Sequence, residues 1–139
     1  MSRERNIKIA NTLLQGIGSG DDPGDIAASF AEDLVFEIQG DDGVLPWVGR
    51  KTGRQAMADF MRDQRALTEP LAFDVEDVLA SEKRAVVIGT LRTRIKATER
   101  IAASQFALVL TIADDVVTRF QMLEDSYAVS QAAAPDKMP

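Results

Sequence analysis

The sequence of 139 residues contains no cysteine and no histidine. The absence of cysteine excludes disulfides, thiol nucleophiles and thiolate metal sites. The absence of histidine removes the commonest general base, the commonest metal ligand, and every Ser-His or Cys-His catalytic pair. Acid–base chemistry would therefore depend on carboxylates, lysine, the single Tyr127 or water. We predict no metal and no cofactor.

Positive charge is also scarce, because 16 Lys and Arg stand against 22 Asp and Glu, a formal net charge of −6. An acidic chain without a basic stripe repels phosphate backbones, so nucleic acid is not an expected partner. No apolar run approaches the roughly 20 residues that span a bilayer. The N-terminal segment also lacks the apolar core of a signal peptide. We therefore expect no membrane contact and a cytoplasmic protein.

What is present is the composition of a globular protein, with 45% hydrophobic and 27% charged residues. The length fits a single domain over 1–139, with a core at about 7–132 and a polar tail at 133–139. Helical spacing predicts a first helix over 7–17 and a short second helix over 26–30. A strand is expected to end at Gly40, followed by a long loop.

The strongest helical pattern covers 53–69, and we expect Pro70 to end it. From Leu71 onward the apolar period is two, which predicts an antiparallel meander of four strands. The second, third and fourth of these strands cover 85–96, 101–112 and 116–124, and a brief helix over 126–134 follows. The element order predicts an α+β domain whose helices lie on one face of a curved sheet.

The alternation places Phe106, Leu108, Leu110 and Ile112 on one inner face of the sheet. The outer face is half apolar at its centre, with Val109, and is flanked by cations. Such a face is typical of an interface with a polar rim. We therefore expect a homodimer through the outer sheet face, provided that acidic residues lie opposite the cations.

The element order and three segments carry a resemblance. The segments are DLVFEIQG, LPWVGRKTGRQAMADFM and VVTRFQMLEDSYAV. With them the chain resembles the nuclear transport factor 2-like superfamily, in its SnoaL-like and ketosteroid-isomerase-like branch, from about Ile7 to Ala132. The resemblance implies a cone in which helices on the concave face of a mainly antiparallel sheet enclose a pocket. It also implies that relatives include isomerases, cyclases, hydrolases and domains without enzymatic activity.

Apolar residues occupy the positions at which this resemblance would place acid–base groups. The ketosteroid isomerase tyrosine falls on Leu13 or Leu14, its base on Ile38, and its protonated acid on or beside Leu108. The acid of the SnoaL-type cyclases and epoxide hydrolases falls on Met122. Hydrocarbon neither takes nor gives a proton, so none of these reactions is expected in its usual form.

Three carboxylates remain as weak catalytic candidates. Glu37 is expected to point away from the pocket and to pair with an outer-face arginine. Glu124 shares strand parity with Phe120, so it points either to the pocket mouth or into solvent. Asp125 precedes the last helix and is expected to cap it.

The expected ligand is a small apolar molecule in an interior pocket, because the predicted lining is almost entirely hydrocarbon. Trp47 follows Pro46 in a loop, where it either closes over such a ligand or packs at the core edge. The predicted lining consists of Leu13, Leu14, Ile17, Phe30, Ile38, Trp47, Phe60, Leu108, Phe120 and Met122. Two alternatives stay open. One is an enzyme of isomerase, cyclase or hydrolase type that uses a non-standard carboxylate, and the other is a structural dimerisation module with a filled interior.

Overall fold

The computed structural model describes residues 2–134 and contains four helices and six strands in that range. The helices are α1 (Arg3–Gly18), α2 (Pro23–Ala28), α3 (Gln55–Leu67) and α4 (Ser126–Ala133). The strands are β1 (Phe30–Ile38), β2 (Gly49–Thr52), β3 (Thr68–Ala80), β4 (Arg84–Ile95), β5 (Arg100–Ala113) and β6 (Val116–Glu124). Over these residues no helix is both long and apolar enough to cross a membrane. Most of the predicted polar tail, 135–139, lies outside the described residues.

The six strands form one curved, unclosed sheet in the order β2-β1-β6-β5-β4-β3. The predicted antiparallel meander of β3 to β6 is confirmed, and β1 joins it by pairing parallel to β6. Irregular pairing between Val75 and Asp77 bends β3, because an extra residue on one strand increases the local twist. The α+β class and the curved, mainly antiparallel sheet are therefore confirmed.

Gly89 of β4 allows this bend. A Cβ at that position would lie 2.1 Å from the main-chain oxygen of Asp74 and 2.9 Å from the ring of Phe106. No side chain fits in that space, so glycine is needed for the close approach of β3 to β4. The same approach lets Phe73 stack on Phe106, with ring centroids 4.8 Å apart.

Three details differ from the sequence prediction. Phe30 begins β1 and does not end α2, and β2 lies within the segment predicted as a loop. Pro70 does not end α3, because the helix stops at Leu67 and Pro70 lies inside β3. The β3 strand is at the edge of the sheet, where a residue without an N–H group is tolerated. The helix ends where Thr68 becomes extended, and the Thr68 hydroxyl donates to the Gln64 carbonyl at 2.6 Å.

The predicted inner face of the sheet is confirmed. The residues of β5 at positions 106, 108, 110 and 112 are all buried, with Leu110 fully so. On β4, Val87, Leu91 and Ile95 are buried on the same side. This face forms the core together with apolar residues of the helices, among them Ala10 of α1, Met57 of α3 and Ala132 of α4.

Aromatic side chains fill the centre of that core. Phe36 of β1 stacks on Phe120 of β6 with centroids 5.2 Å apart and planes 4° from parallel. Phe60 of α3 packs against both rings, and its ring centroid lies 5.4 Å from that of Phe36 and 6.1 Å from that of Phe120. Phe30 lies 6.3 Å from Phe120, and Trp47 meets Phe60 edge-on at 5.8 Å. We call these five residues the aromatic cluster; it occupies much of the space between sheet and helices.

Candidate functional site

A small cavity lies on one side of the aromatic cluster, beneath the loop 39–48 and α4. Its volume is about 50 Å³, room for one or two waters and no more. The apolar lining consists of Ile38, Leu45, Trp47, Phe60, Leu91, Ile95, Ala102, Met122 and Val129. Four polar side chains join them, namely Gln64, Thr68, Thr93 and Glu124. We call this space the interior cavity.

Among residues 2–134, Glu124 is the only ionisable residue that lines the interior cavity. It lies at the end of β6 opposite Phe106, on the inner face of the sheet. Within residues 2–134 no group donates a hydrogen bond to its carboxylate or forms an ion pair with it. Loss of hydration disfavours the charged form, so burial raises the pKa of the Glu124 carboxyl from 4.5 to about 6. Of the two orientations that strand parity left open, the structure therefore shows the inward one.

Glu37 lies on the opposite face of the sheet. Its carboxylate accepts a hydrogen bond from the Arg119 guanidinium at 3.0 Å and one from the Gln121 amide at 3.3 Å. The predicted pairing with an outer-face arginine is thereby confirmed. This partly buried ion pair compensates the charge of Glu37 and keeps the carboxylate away from the interior cavity.

Asp125 caps α4 as predicted. Its side-chain oxygen accepts a hydrogen bond from the main-chain N–H of Ala128 at 3.0 Å. The carboxylate satisfies one of the free N–H groups at the start of the helix. Asp125 is exposed and does not line the interior cavity.

The structure does not gather the predicted apolar lining around one space. Ile38, Trp47, Phe60 and Met122 line the interior cavity. The others lie elsewhere. Leu13 and Phe30 line a separate groove, Leu108 and Phe120 are buried in the core, and Leu14 and Ile17 pack against its edge. The reason is that the aromatic cluster stands where a single large pocket was expected.

Trp47 both packs at the core edge and closes the interior cavity. The side chain is buried, and its indole contacts the Phe60 ring edge-on. It is carried by the loop 39–48, which is tied down by few polar contacts. One is the donation from Lys51 Nζ to the Pro46 carbonyl, at 2.5 Å. Another is the hydrogen bond from the Ser130 hydroxyl to the Asp41 carboxylate, at 2.8 Å.

Glu124 was a candidate from the sequence, but the other polar residues of the interior cavity, which are Gln64, Thr68 and Thr93, were not. Phe60, Gln64 and Thr68 follow one another at intervals of four, so they lie along one side of α3 and its end. That spacing was the available signal for Gln64 and Thr68. Among residues 2–134 no group of three or more acidic side chains is close enough to hold a metal ion.

Comparison with known proteins identifies the family. A family model described as a SnoaL-like domain matches residues 12–120. The chain belongs to the SnoaL-like domain family. No curated protein matches this SnoaL-like chain significantly.

Solved structures support the same fold. A nuclear transport factor 2-like protein from Burkholderia xenovorans is 25% identical, with a TM-score of 0.86 over 96% of this chain and 99% of that one. A candidate SnoaL-like polyketide cyclase from Mesorhizobium loti is 15% identical, with a TM-score of 0.68 over 84% and 96%. A protein with a ketosteroid isomerase-like fold from Catenulispora acidiphila, in complex with trimethylamine, is 17% identical, with a TM-score of 0.72 over 94% of this chain and 97% of that one. The last two likenesses concern the fold alone.

The raised pKa of Glu124 predicts a specific dependence of stability on pH. The unfolded chain releases the Glu124 proton near pH 4.5, whereas the folded protein holds it to about pH 6. Stability is therefore lost as pH rises through this window, by up to about 2 kcal/mol. Glu124→Gln, which is neutral at every pH, should not suffer this loss. In urea unfolding between pH 4 and 7.5, the free energy of unfolding of the variant should increase relative to that of wild type as pH rises.

The matched control is Glu82→Gln, at an exposed position that makes no ion pair among the described residues. It should follow the wild-type curve at every pH. Parallel curves for wild type and Glu124→Gln would contradict the assignment of a desolvated carboxyl.

Proposed function

We propose that this SnoaL-like protein binds a small, mainly apolar molecule in the interior cavity, with Glu124 as its polar anchor. The observation that carries the proposal is the position of Glu124, a carboxyl in a mainly apolar lining that has no hydrogen-bond or ion-pair partner among residues 2–134. The Glu124 side chain is half-buried, and a polar group that loses part of its hydration without gaining a partner costs free energy. A hydroxyl or carbonyl of a bound molecule would supply the missing hydrogen bond.

The volume of the interior cavity sets a condition on this proposal. About 50 Å³ is well below the 300 Å³ or so of ordinary ligand sites. The ligand must therefore displace part of the lining, and the loop 39–48 is the segment that covers it. Since Trp47 lies on that loop and is the only tryptophan, its fluorescence reports the movement.

Binding can be tested with p-cresol and with toluene, which differ by one hydroxyl. We expect p-cresol to change the emission of Trp47 and to raise the Tm, and toluene to bind about tenfold more weakly because it cannot pair with Glu124. Ala102→Val should weaken p-cresol binding, since Ala102 lines the interior cavity and the added methyl groups fill it.

The matched control is Ala103→Val, which places the same side chain on the exposed outer face one residue away. It should bind p-cresol as wild type does. If p-cresol at millimolar concentration binds neither wild type nor Ala103→Val, the interior cavity is not a ligand site. The same follows if p-cresol binds Ala102→Val and Ala103→Val equally.

A second candidate function is proton transfer, favoured by the same carboxyl. The Glu124 pKa of about 6 is suitable for a general acid–base catalyst that works near neutral pH. The chain has no histidine to share this role, so Glu124 would act alone, taking a proton from a carbon next to a carbonyl group and returning it elsewhere. Glu124→Gln would then abolish turnover while still binding the apolar part of the substrate.

We also propose a homodimer through the outer face of the sheet. Leu79, Ile88 and Leu123 on that face are 49%, 36% and 38% exposed. Acidic and basic groups occur together there, because Asp74 of β3 and Arg92 of β4 lie two residue pairs apart in the β3–β4 register and so share a face. A two-fold axis can therefore set the acid of one copy against the cation of the other.

Val109→Glu tests this interface. Val109 lies at the centre of the outer face, opposite Val86 and Gln121, and a buried, unpaired charge there should shift the protein from dimer to monomer in sedimentation velocity. Ala66→Glu adds the same charge to the exposed side of α3 and should leave the dimer intact. A wild type that sediments as a monomer at micromolar concentration would end the proposal.

A further inference from the structure

A second concave space lies outside the interior cavity, between α1, α2 and the hairpin that joins β5 to β6. Its volume is about 430 Å³, within the range of small-molecule sites. It shares no lining residue with the interior cavity. We call it the helix groove. Occupation of one space therefore does not block the other directly.

The floor of the helix groove is apolar. It is formed by Ile9, Leu13, Ile26, Phe30 and Val117. Phe30 is buried and its ring lies near that of Phe120, so part of the floor is the back of the aromatic cluster. An apolar group that binds there would be removed from water and would pack on an apolar surface that already exists, which favours binding.

The two walls of the helix groove carry opposite charges. The α1 wall presents Arg5 and Lys8, whereas the other wall presents Asp21 and Asp25 from the α2 segment. Arg5 is already paired across the groove, because its guanidinium lies 2.5 Å from the Asp115 carboxylate of the hairpin. Among residues 2–134, Lys8, Asp21 and Asp25 form no ion pair. One cation and two carboxylates are thus left facing a space that separates them.

Main-chain contacts hold the acidic wall in place. The Arg65 guanidinium donates to the carbonyl oxygens of Asp21, at 2.6 Å, and of Ile17, at 3.5 Å. Gly16 leaves room for the Asp21 carboxylate, since a Cβ at Gly16 would lie 3.0 Å from Asp21 Oδ2. The carboxylate is therefore positioned by the backbone, and its charge remains available to a ligand.

We propose that the helix groove binds a small zwitterion of the α-amino acid class with an apolar side chain. The ammonium group pairs with Asp21 and Asp25, the carboxylate pairs with Lys8, and the side chain lies on the apolar floor. A plain amine leaves Lys8 without a partner, and a plain carboxylic acid meets two unpaired carboxylates. Only a molecule that carries both charges satisfies both walls.

Calorimetric titration with L-phenylalanine, 2-phenylethylamine and 3-phenylpropionate tests the two walls separately, because the three compounds share the phenyl group. We expect L-phenylalanine to bind about tenfold more tightly than either of the others. Equal binding of the amine would show a purely cation-binding groove. Failure of all three to bind at millimolar concentration would show that the groove is not a site for such molecules. Either result overturns the proposal.

Substitutions locate the binding. Lys8→Gln and Asp25→Asn should each weaken the binding of L-phenylalanine about fivefold or more. The control variants Lys96→Gln and Asp33→Asn, at exposed positions away from the groove, should bind it as wild type does. Thr12→Phe places a ring inside the groove from an exposed helix position and should abolish binding. Asn11→Phe, its neighbour that does not line the groove, should bind as wild type. Retained binding in Thr12→Phe, or equal loss in Asn11→Phe, would contradict the assignment.

Discussion

The stacking of Phe36 on Phe120 is the contact on which the rest of the interior depends. It joins β1 to β6, the one parallel pair of the sheet in residues 2–134, and the two residues lie directly opposite each other in register. Phe60 packs on both rings and brings α3 against the sheet. Each aromatic pair adds about 0.5–1.5 kcal/mol beyond the burial of area. The cluster therefore stabilises the cone and fills its centre at the same time.

Filling the centre decides where polar chemistry can occur. On β6 the inner-face residues before Glu124 pack against the cluster or its edge, so Glu124 is the first polar group of that face to meet the interior cavity. Glu37 has the other strand parity and finds Arg119 on the outer face. Two glutamates on adjoining strands of one sheet thus differ in environment because of parity alone. One is compensated by an ion pair, and the other is left desolvated.

The strands and their faces were predictable because alternation with a period of two is a local property. The range of β6 was predicted to the residue, and the buried faces of β4 and β5 were predicted correctly. Strand β2 could not be predicted, since Gly-Arg-Lys-Thr has no apolar alternation and is a strand only through its pairing with β1. The orientation of Glu124 was open because it lies at a strand end. The space left by the five aromatic side chains depends on three-dimensional packing, which no local pattern contains. The same holds for the placement of Lys8 and Asp25 in the lining of one groove.

The central claim is that the aromatic cluster leaves Glu124 as a desolvated carboxyl at the interior cavity. The most direct test is the titration of its side-chain carboxyl by ¹³C NMR in the folded protein, with Glu124→Gln used to assign the resonance. The account predicts a single transition with a pKa of about 6. A transition near 4.5, the ordinary value for glutamate, would show that the carboxyl is hydrated and would contradict the account.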